Sequence, residues 1–459
     1  MGAEQARNDE GGAGLHASGQ PTLLRTMGAW QMAAYGAGSM LGAGIYGLIG
    51  VAAGRMGSAV WLAFLTALVA ALLTGLSYAS LGSRYPRAAG AAYVTHRAYG
   101  IGLLTHIVGL AVVCSGLTSM AAGSRVIGAN LQRLPVLADI SVTILALAFL
   151  VLIALVVFRG IRESMWLNVG CTLVEAGGLF LVLIVGARFW GTADLLEFPP
   201  GAMDGFVIGG IPVLLLFQGA LLTFYSFLGF EDTLNVAEEV KNPRRNVPLG
   251  LILAMALAAI LYIGVAITAV SVVPWQELAQ SGAPLAEVMA RAAPWFPNWA
   301  FIAITIFAVG NTALINYVTA SRLLYGMARD KRLPAGIGRV HATRRTPHIA
   351  VLIVLAILAA LVLIGDIGPL ADATVLLMLL VFSIVNIALV ILKMRPDEPK
   401  GGFEIPTAVP LLGAVVCFAL FAIRVTSGDM TATTIAGVLL AVIGVLYIVV
   451  KPPPGAPKT

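Results

Sequence analysis

Apolar residues run along this chain in stretches of roughly 17–30 positions, separated by short loops that hold most of the polar residues. The runs lie at about 28–53, 58–82, 101–129, 140–158, 165–187, 207–230, 248–273, 299–328, 348–364, 369–392, 407–424 and 433–450. A helix crosses the hydrocarbon core with about 20 apolar residues, so the pattern predicts an all-α membrane protein of twelve transmembrane helices. Residues 1–27 are polar and glycine-rich and predict a disordered tail. No apolar region stands before the first run, so no cleavable signal peptide is expected. Residues 451–459 predict a second short tail.

Composition agrees with the pattern. Of 459 residues, 59% are apolar and 11% charged, against about 25% charged in an ordinary soluble domain, and the mean hydropathy is +0.94. Cys114, Cys171 and Cys417 are far apart and each sits in an apolar run, which predicts small core hydrophobes rather than a disulfide framework or a zinc site. The five histidines form no HExxH pair, and no GxxxxGK[ST] phosphate loop is present, so neither a metal, nor a cofactor, nor a nucleotide-driven pump is implied. Without a paired nucleophile and base, an enzyme is not expected.

Charge then orients the chain. When the loops are assigned to alternating sides, 22 of the 28 Lys and Arg residues fall on the side that carries both termini. Arg55, Arg125, Arg133, Arg188, Arg291 and Arg424 make up the other side. By the positive-inside rule both termini are cytoplasmic, and the expected location is the plasma (inner) membrane. The same asymmetry accounts for the isoelectric point near 9.3, so no nucleic-acid partner is needed and the lipid bilayer is the partner implied.

Two spans carry internal breaks. The first contains GAGSMLGAGIYGLIG, with Gly42-Ala43-Gly44 at mid-span. Packing against small residues does not explain so many glycines, whereas unwound backbone lining a polar cavity does. The sixth span is interrupted at Phe227-Leu228-Gly229-Phe230, followed by Glu231 and Asp232. Irregular spans opening a first and a second set of five point to an inverted-repeat transporter with its site at the midplane. A half-helix N-terminus offers free N–H groups to a carboxylate and unwound carbonyls accept from an ammonium, so the arrangement suits a zwitterion.

Four segments carry a resemblance to the amino acid–polyamine–organocation (APC) permeases: residues 38–46 (GSMLGAGIY), 78–100 (YASLGSRYPRAAGAAYVTHRAYG), 227–248 (FLGFEDTLNVAEEVKNPRRNVP) and 321–334 (SRLLYGMARDKRLP). The resemblance implies two inverted five-helix repeats, residues 28–187 and 188–392, with discontinuous helices 1 and 6, followed by helices 11 and 12 at 393–450. It also implies a secondary transporter that moves an amino acid or related amine by alternating access, coupled to a proton or Na+ or working by exchange. A membrane-embedded sensor or a channel is the alternative. Carried over by motif position, Ala43 and Gly44 supply N–H groups to the substrate carboxylate. Met40, Tyr225 and Leu228, beside Gly229 in the break, supply carbonyls near the ammonium, and Tyr225 also stands where relatives carry an aromatic gate. Ala43 replaces the Ser or Thr common in the family, so that anchor rests on backbone alone. Opposite charges at the inner ends, among them Arg84, Arg87, Glu238, Glu239, Arg322 and Asp330, form either a gate or a topology signal.

Ionisable groups deep in a span are functional candidates. Glu175 stands near the middle of the fifth span, at the position where proton-coupled relatives carry a lysine. It can carry the proton itself, hold Na+ with helix 1 and helix 8 groups such as Thr319, or simply hydrogen-bond to a neighbouring helix. Glu231 either responds to protonation or locks the unwound segment by accepting backbone N–H bonds. The third span shows Ser115 and Gly116 where relatives with cationic substrates carry an acid. That favours a neutral amino acid, with side-chain contacts drawn from Cys114, Ser115, Asn311 and Asn316 or else with these residues used between helices.

Overall fold

The structure, a computed structural model, describes residues 27–86, 90–159, 165–202, 206–234, 236–329, 333–339, 346–427 and 430–450. Both tails except Met27 lie outside the described residues, as do Arg87, Asp330 and the side chains of Glu238 and Arg322.

Every apolar run carries helix. The first is split into α1 (Ala29–Met40) and α2 (Ala43–Met56) across Leu41 and Gly42. Then come α3 (Val60–Arg84), a short α4 (Gly90–Tyr99), α5 (Gly102–Gln132), α6 (Val142–Arg159), α7 (Met165–Gly186) and α8 (Val213–Phe227). A 3-10 turn at Phe230–Leu234 leads to α9 (Pro243–Val272), the short α10 (Trp275–Gln280) and α11 (Pro284–Ala292), α12 (Asn298–Arg329), α13 (His348–Ile364), α14 (Ile367–Met394), α15 (Ala408–Ser427) and α16 (Met430–Val450). Among the described residues, nine helical stretches are long and apolar enough to cross a membrane, with α2 and α3 taken together as Ala43–Arg84. Val142–Phe158 and His348–Ile364 are shorter apolar helices.

Two local departures from the sequence pattern have physical causes. The sixth run was read as helical from 207, but it opens with a hairpin in which Val207–Ile208 pairs antiparallel with Ile211–Pro212. Gly209 and Gly210 both have positive φ (57° and 82°), as a tight two-residue hairpin turn requires, so α8 is shortened to start at Val213. Pro248, read as the start of the seventh span, lies inside α9, which begins five residues earlier at Pro243. Proline leaves the carbonyl one turn back without its helical donor, and the Ser83 hydroxyl on α3 fills that place, donating to the Arg244 carbonyl at 2.8 Å.

Packing brings the two halves together. α9 lies along α3 and α1, and α14 along α5 and α15, with α12 against α5 and α8 against α3. Tyr78, Phe230 and Phe382 form a buried aromatic cluster between α3, the 3-10 turn and α14, with centroids 5.1–5.6 Å apart. On α15 and α16 the exposed apolar residues fall at helical spacing, Leu411, Val415 and Phe418 on one and Val438, Val442 and Val445 on the other. These stripes face hydrocarbon at no cost, where water would penalise them.

The α14–α15 linker straps the end of the bundle that is rich in Lys and Arg. Arg84 grips Glu404 through two bonds of 2.8 and 2.7 Å, Lys393 joins at 2.9 Å, and Glu398 accepts from Tyr85 and Arg97, each at 2.8 Å. Arg84, one of the residues placed in an inner-end gate or topology signal, is thus held by this strap. Partial burial alone would raise the Glu404 carboxyl, but Arg84 and Lys393 outweigh it and hold the group down to about 2 from an ordinary 4.5. Because the folded-state value lies below the unfolded one, this anchorage is complete above about pH 5 and is lost as the pH falls towards 2. Glu404→Gln is therefore expected to melt a few degrees below wild type at pH 7, and the gap should narrow below about pH 4.5 and close only near pH 2, as followed by thermal unfolding in detergent.

Candidate substrate site

The two helix breaks meet. Gly44, at the start of α2, has no room for a side chain, since a Cβ there would lie 2.5 Å from the Ser226 Cα on α8. Gly229 has φ +119°, and a Cβ on it would meet the Ser39 carbonyl oxygen at 2.5 Å. Each half-helix end is thus pressed against the backbone of the other broken span. Within α2 the first hydrogen bond runs from the Tyr46 N–H to the Gly42 carbonyl. The N–H groups of Ala43, Gly44 and Ile45 have no acceptor inside the helix and form a free positive dipole end.

Tyr262 on α9 clamps the junction. Its fully buried hydroxyl lies 2.7 Å from the Met40 carbonyl and 2.9 Å from the Ser226 carbonyl, sharing one proton between the two breaks. The Met40 carbonyl also accepts from the Gly42 N–H at 2.9 Å. Both of its lone pairs are then in use, so in this conformation Met40 contributes to the wall but does not offer the ammonium acceptor expected of it. Removing the clamp in Tyr262→Phe is expected to cost roughly 1–2 kcal/mol of stability and to slow transport, with melting temperature and initial uptake rate as the two readouts.

Beside the junction is a cavity of about 680 Å³. Its wall includes Met40, Ala43, Gly44, Tyr225, Leu228 and Gly229 from the breaks, Ser115 from α5, and Asn316 and Thr319 from α12, together with Glu231. Asn311 and Cys114 are not in the wall. Tyr225 is tied across it, its hydroxyl 2.8 Å from the Ser119 hydroxyl on α5, and its carbonyl accepts from the Leu228 N–H. The Ser115 hydroxyl donates to the Val112 carbonyl at 2.8 Å, leaving only its oxygen for a ligand. Glu231 caps the break by accepting the Gly229 N–H at 2.8 Å. Among the described residues of the wall, Glu231 and Asp232 are the acids, and no Lys or Arg is present. The lining also takes in Tyr35, Gly90, Ala91 and Val236; Gly90 and Ala91 begin α4, whose Arg97 is bound by the linker.

Glu175 lies outside the cavity and is fully buried. Asn311 on α12 donates to its Oε1 at 3.2 Å, and Tyr46 on α2 donates to its backbone carbonyl at 2.7 Å. Its Oε2 has no partner among the described residues. One turn earlier the Thr172 hydroxyl donates to the Ala34 carbonyl of α1. Glu175 therefore does join the first broken span to α12, but through Asn311. Thr319, expected as its partner, sits on the cavity wall instead. Tyr262 and Ser119 went unnoticed in the sequence, because a lone hydroxyl within an apolar run carries no signal until its partner is in place. No group of three or more metal-ligating side chains occurs among the described residues.

Comparison with known proteins places this architecture. Residues 27–450 match the family model described as amino acid permease. The methylthioribose transporter of Bacillus subtilis is 28% identical over 86% of this chain and 87% of its own length. The branched-chain amino acid permease of the same organism is 27% identical over 88% and 89%. The chloroplastic cationic amino acid transporter 9 of Arabidopsis thaliana is 30% identical over 70% of this chain, which spans 58% of that relative. With the match running through both helix breaks and nearly end to end, the chain belongs to the amino acid permease family of the APC superfamily and is an integral membrane transporter.

Proposed function

We propose that the protein carries a neutral amino acid or a related amine across the plasma membrane by alternating access, through twelve spans whose first ten form two inverted repeats. The observation that carries this reading is the meeting of two broken helices at one cavity, with free N–H groups on one side and unwound carbonyls on the other. The substrate carboxylate sits on the Ala43 and Gly44 N–H groups, and its ammonium on the Leu228 and Tyr225 carbonyls. Ser115, Ser119 and Asn316 line the side-chain end, where α5 supplies no acid to hold a second cation. The distribution of Lys and Arg supports cytoplasmic termini, and the cavity lining that reaches α4 beside the Lys- and Arg-rich strap supports reading this as the inward-facing conformation. Glu175 is the coupling group, taking up H+ or Na+ beside α2 and α12. The relatives' names include a branched-chain amino acid, cationic amino acids and a thioether sugar, so the panel that tests the cargo must be broad.

The test is counterflow in proteoliposomes with labelled leucine, methionine, alanine, lysine, methylthioribose and putrescine. Saturable uptake of at least one neutral amino acid, exceeding that of lysine, is the expected result. No uptake of any amino acid or amine above protein-free vesicles would overturn the reading.

A further inference from the structure

At the end of the bundle opposite the linker strap sits a charge cluster that the substrate site does not use. Asp372 and Lys393 bracket α14, about 30 Å apart along its axis, and Lys393 belongs to the strapped end. Asp372 Oδ2 accepts two guanidinium groups at once, from Arg55 at the C-terminal end of α2 at 3.0 Å and from Arg424 on α15 at 2.9 Å. The Asp372 side chain is 1% exposed and that of Arg424 5%, whereas that of Arg55 is 33% exposed.

The two bonds differ in what surrounds them. α14 and α15 pack along most of their length, so the Arg424–Asp372 bond lies inside a continuous interface. α2 and α14 touch only sparsely, and the bond between them is made by the partly exposed Arg55 side chain. A buried carboxylate stripped of its one cation pays a large desolvation penalty. Here Arg55 can withdraw and leave Asp372 still neutralised. The two guanidiniums share one negative charge and repel each other, so the presence of Arg424 weakens the hold of Arg55, although Asp372 Oδ1 has no partner among the described residues.

We propose that Arg55 is the releasable latch that closes α2 against α14 on the outer face, and that Arg424 is the resident counter-ion that makes its release affordable. This rests on the alternating-access reading above. Opening the outer face separates α2 from α14, and only the Arg55 bond has to break.

The sign of two substitutions tests this. The readout is the rate at which Met120→Cys, on the α5 wall of the cavity, reacts with a membrane-impermeant maleimide applied from outside to cells, with the parent protein as background. Arg55→Gln is expected to raise that rate about fivefold or more. Arg424→Gln, which leaves Asp372 dependent on Arg55 alone, is expected to lower it about fivefold or more. Arg55→Lys keeps a cation but loses the guanidinium geometry, and should raise the rate less than Arg55→Gln does. Each variant is first checked for monodisperse elution; if Arg424→Gln does not fold, Arg424→Lys should give a smaller decrease of the same sign. Labelling that moves in the same direction in the Arg55 and Arg424 variants, or in neither, would overturn the latch. A Met120→Cys reporter that never reacts from outside with Arg55 and Arg424 intact, with or without substrate, would instead overturn alternating access itself.

Discussion

Glu175→Gln should lose gradient-driven accumulation by a factor of about 10 or more while retaining substrate exchange. Holding a charge at mid-bilayer costs at least about 2.5 kcal/mol, and the Glu175 carboxyl receives one side-chain donor, from Asn311, with its second oxygen left unpartnered among the described residues. An ionised carboxylate there is poorly compensated and gains by taking up a cation. On the function proposed above that cation is the coupling ion, and the bonds of the same residue to α2 through Tyr46 and to α12 through Asn311 support that role. Glutamine preserves the size of the side chain and can still bond to Asn311, so the fold should survive with a melting shift of a few degrees. Proteoliposomes without internal substrate, with a pH gradient imposed in one set and a Na+ gradient in another, separate the two ions, and substrate-loaded vesicles report the retained exchange. Full accumulation by the variant under both gradients would show that Glu175 only joins helices.

Gly229→Ala is the substitution with the largest expected structural effect. A φ of +119° is strained for any residue with a side chain, and the added methyl would collide with the Ser39 carbonyl. Strain and overpacking together come to roughly 3–5 kcal/mol, enough to push α1 off the sixth-span break. Substrate-induced thermal stabilisation should disappear and uptake should fall at least about tenfold. Gly44→Ala should behave similarly for a different reason: its backbone is helical, but the methyl meets the Ser226 Cα. If Gly229→Ala bound and transported normally, the close apposition of the two breaks would be irrelevant to the site.

The sequence by itself determined the helical membrane architecture, because runs of about 20 apolar residues have no other stable use. It also located the breaks to within two residues, since Gly42-Ala43-Gly44 and Leu228-Gly229 violate the pattern of an uninterrupted span, although the first break falls at Leu41 and Gly42 and the helix resumes at Ala43, and it singled out Glu175 by the cost of burying an acid. It missed the hairpin at Val207–Pro212, where apolar residues conceal a turn made by two glycines. It also undervalued Asp372, which lies in an apolar run but has both its cations on other helices. Partnership was decided only by the tertiary structure. Asn311 rather than Thr319 meets Glu175, Tyr262 saturates the Met40 carbonyl, and Glu404 rather than a sixth-span acid pairs with Arg84. Hydrophobic periodicity is a one-dimensional signal fixed by the solvent on each side of a helix, whereas a hydrogen bond or ion pair depends on a few ångströms between residues far apart in the chain.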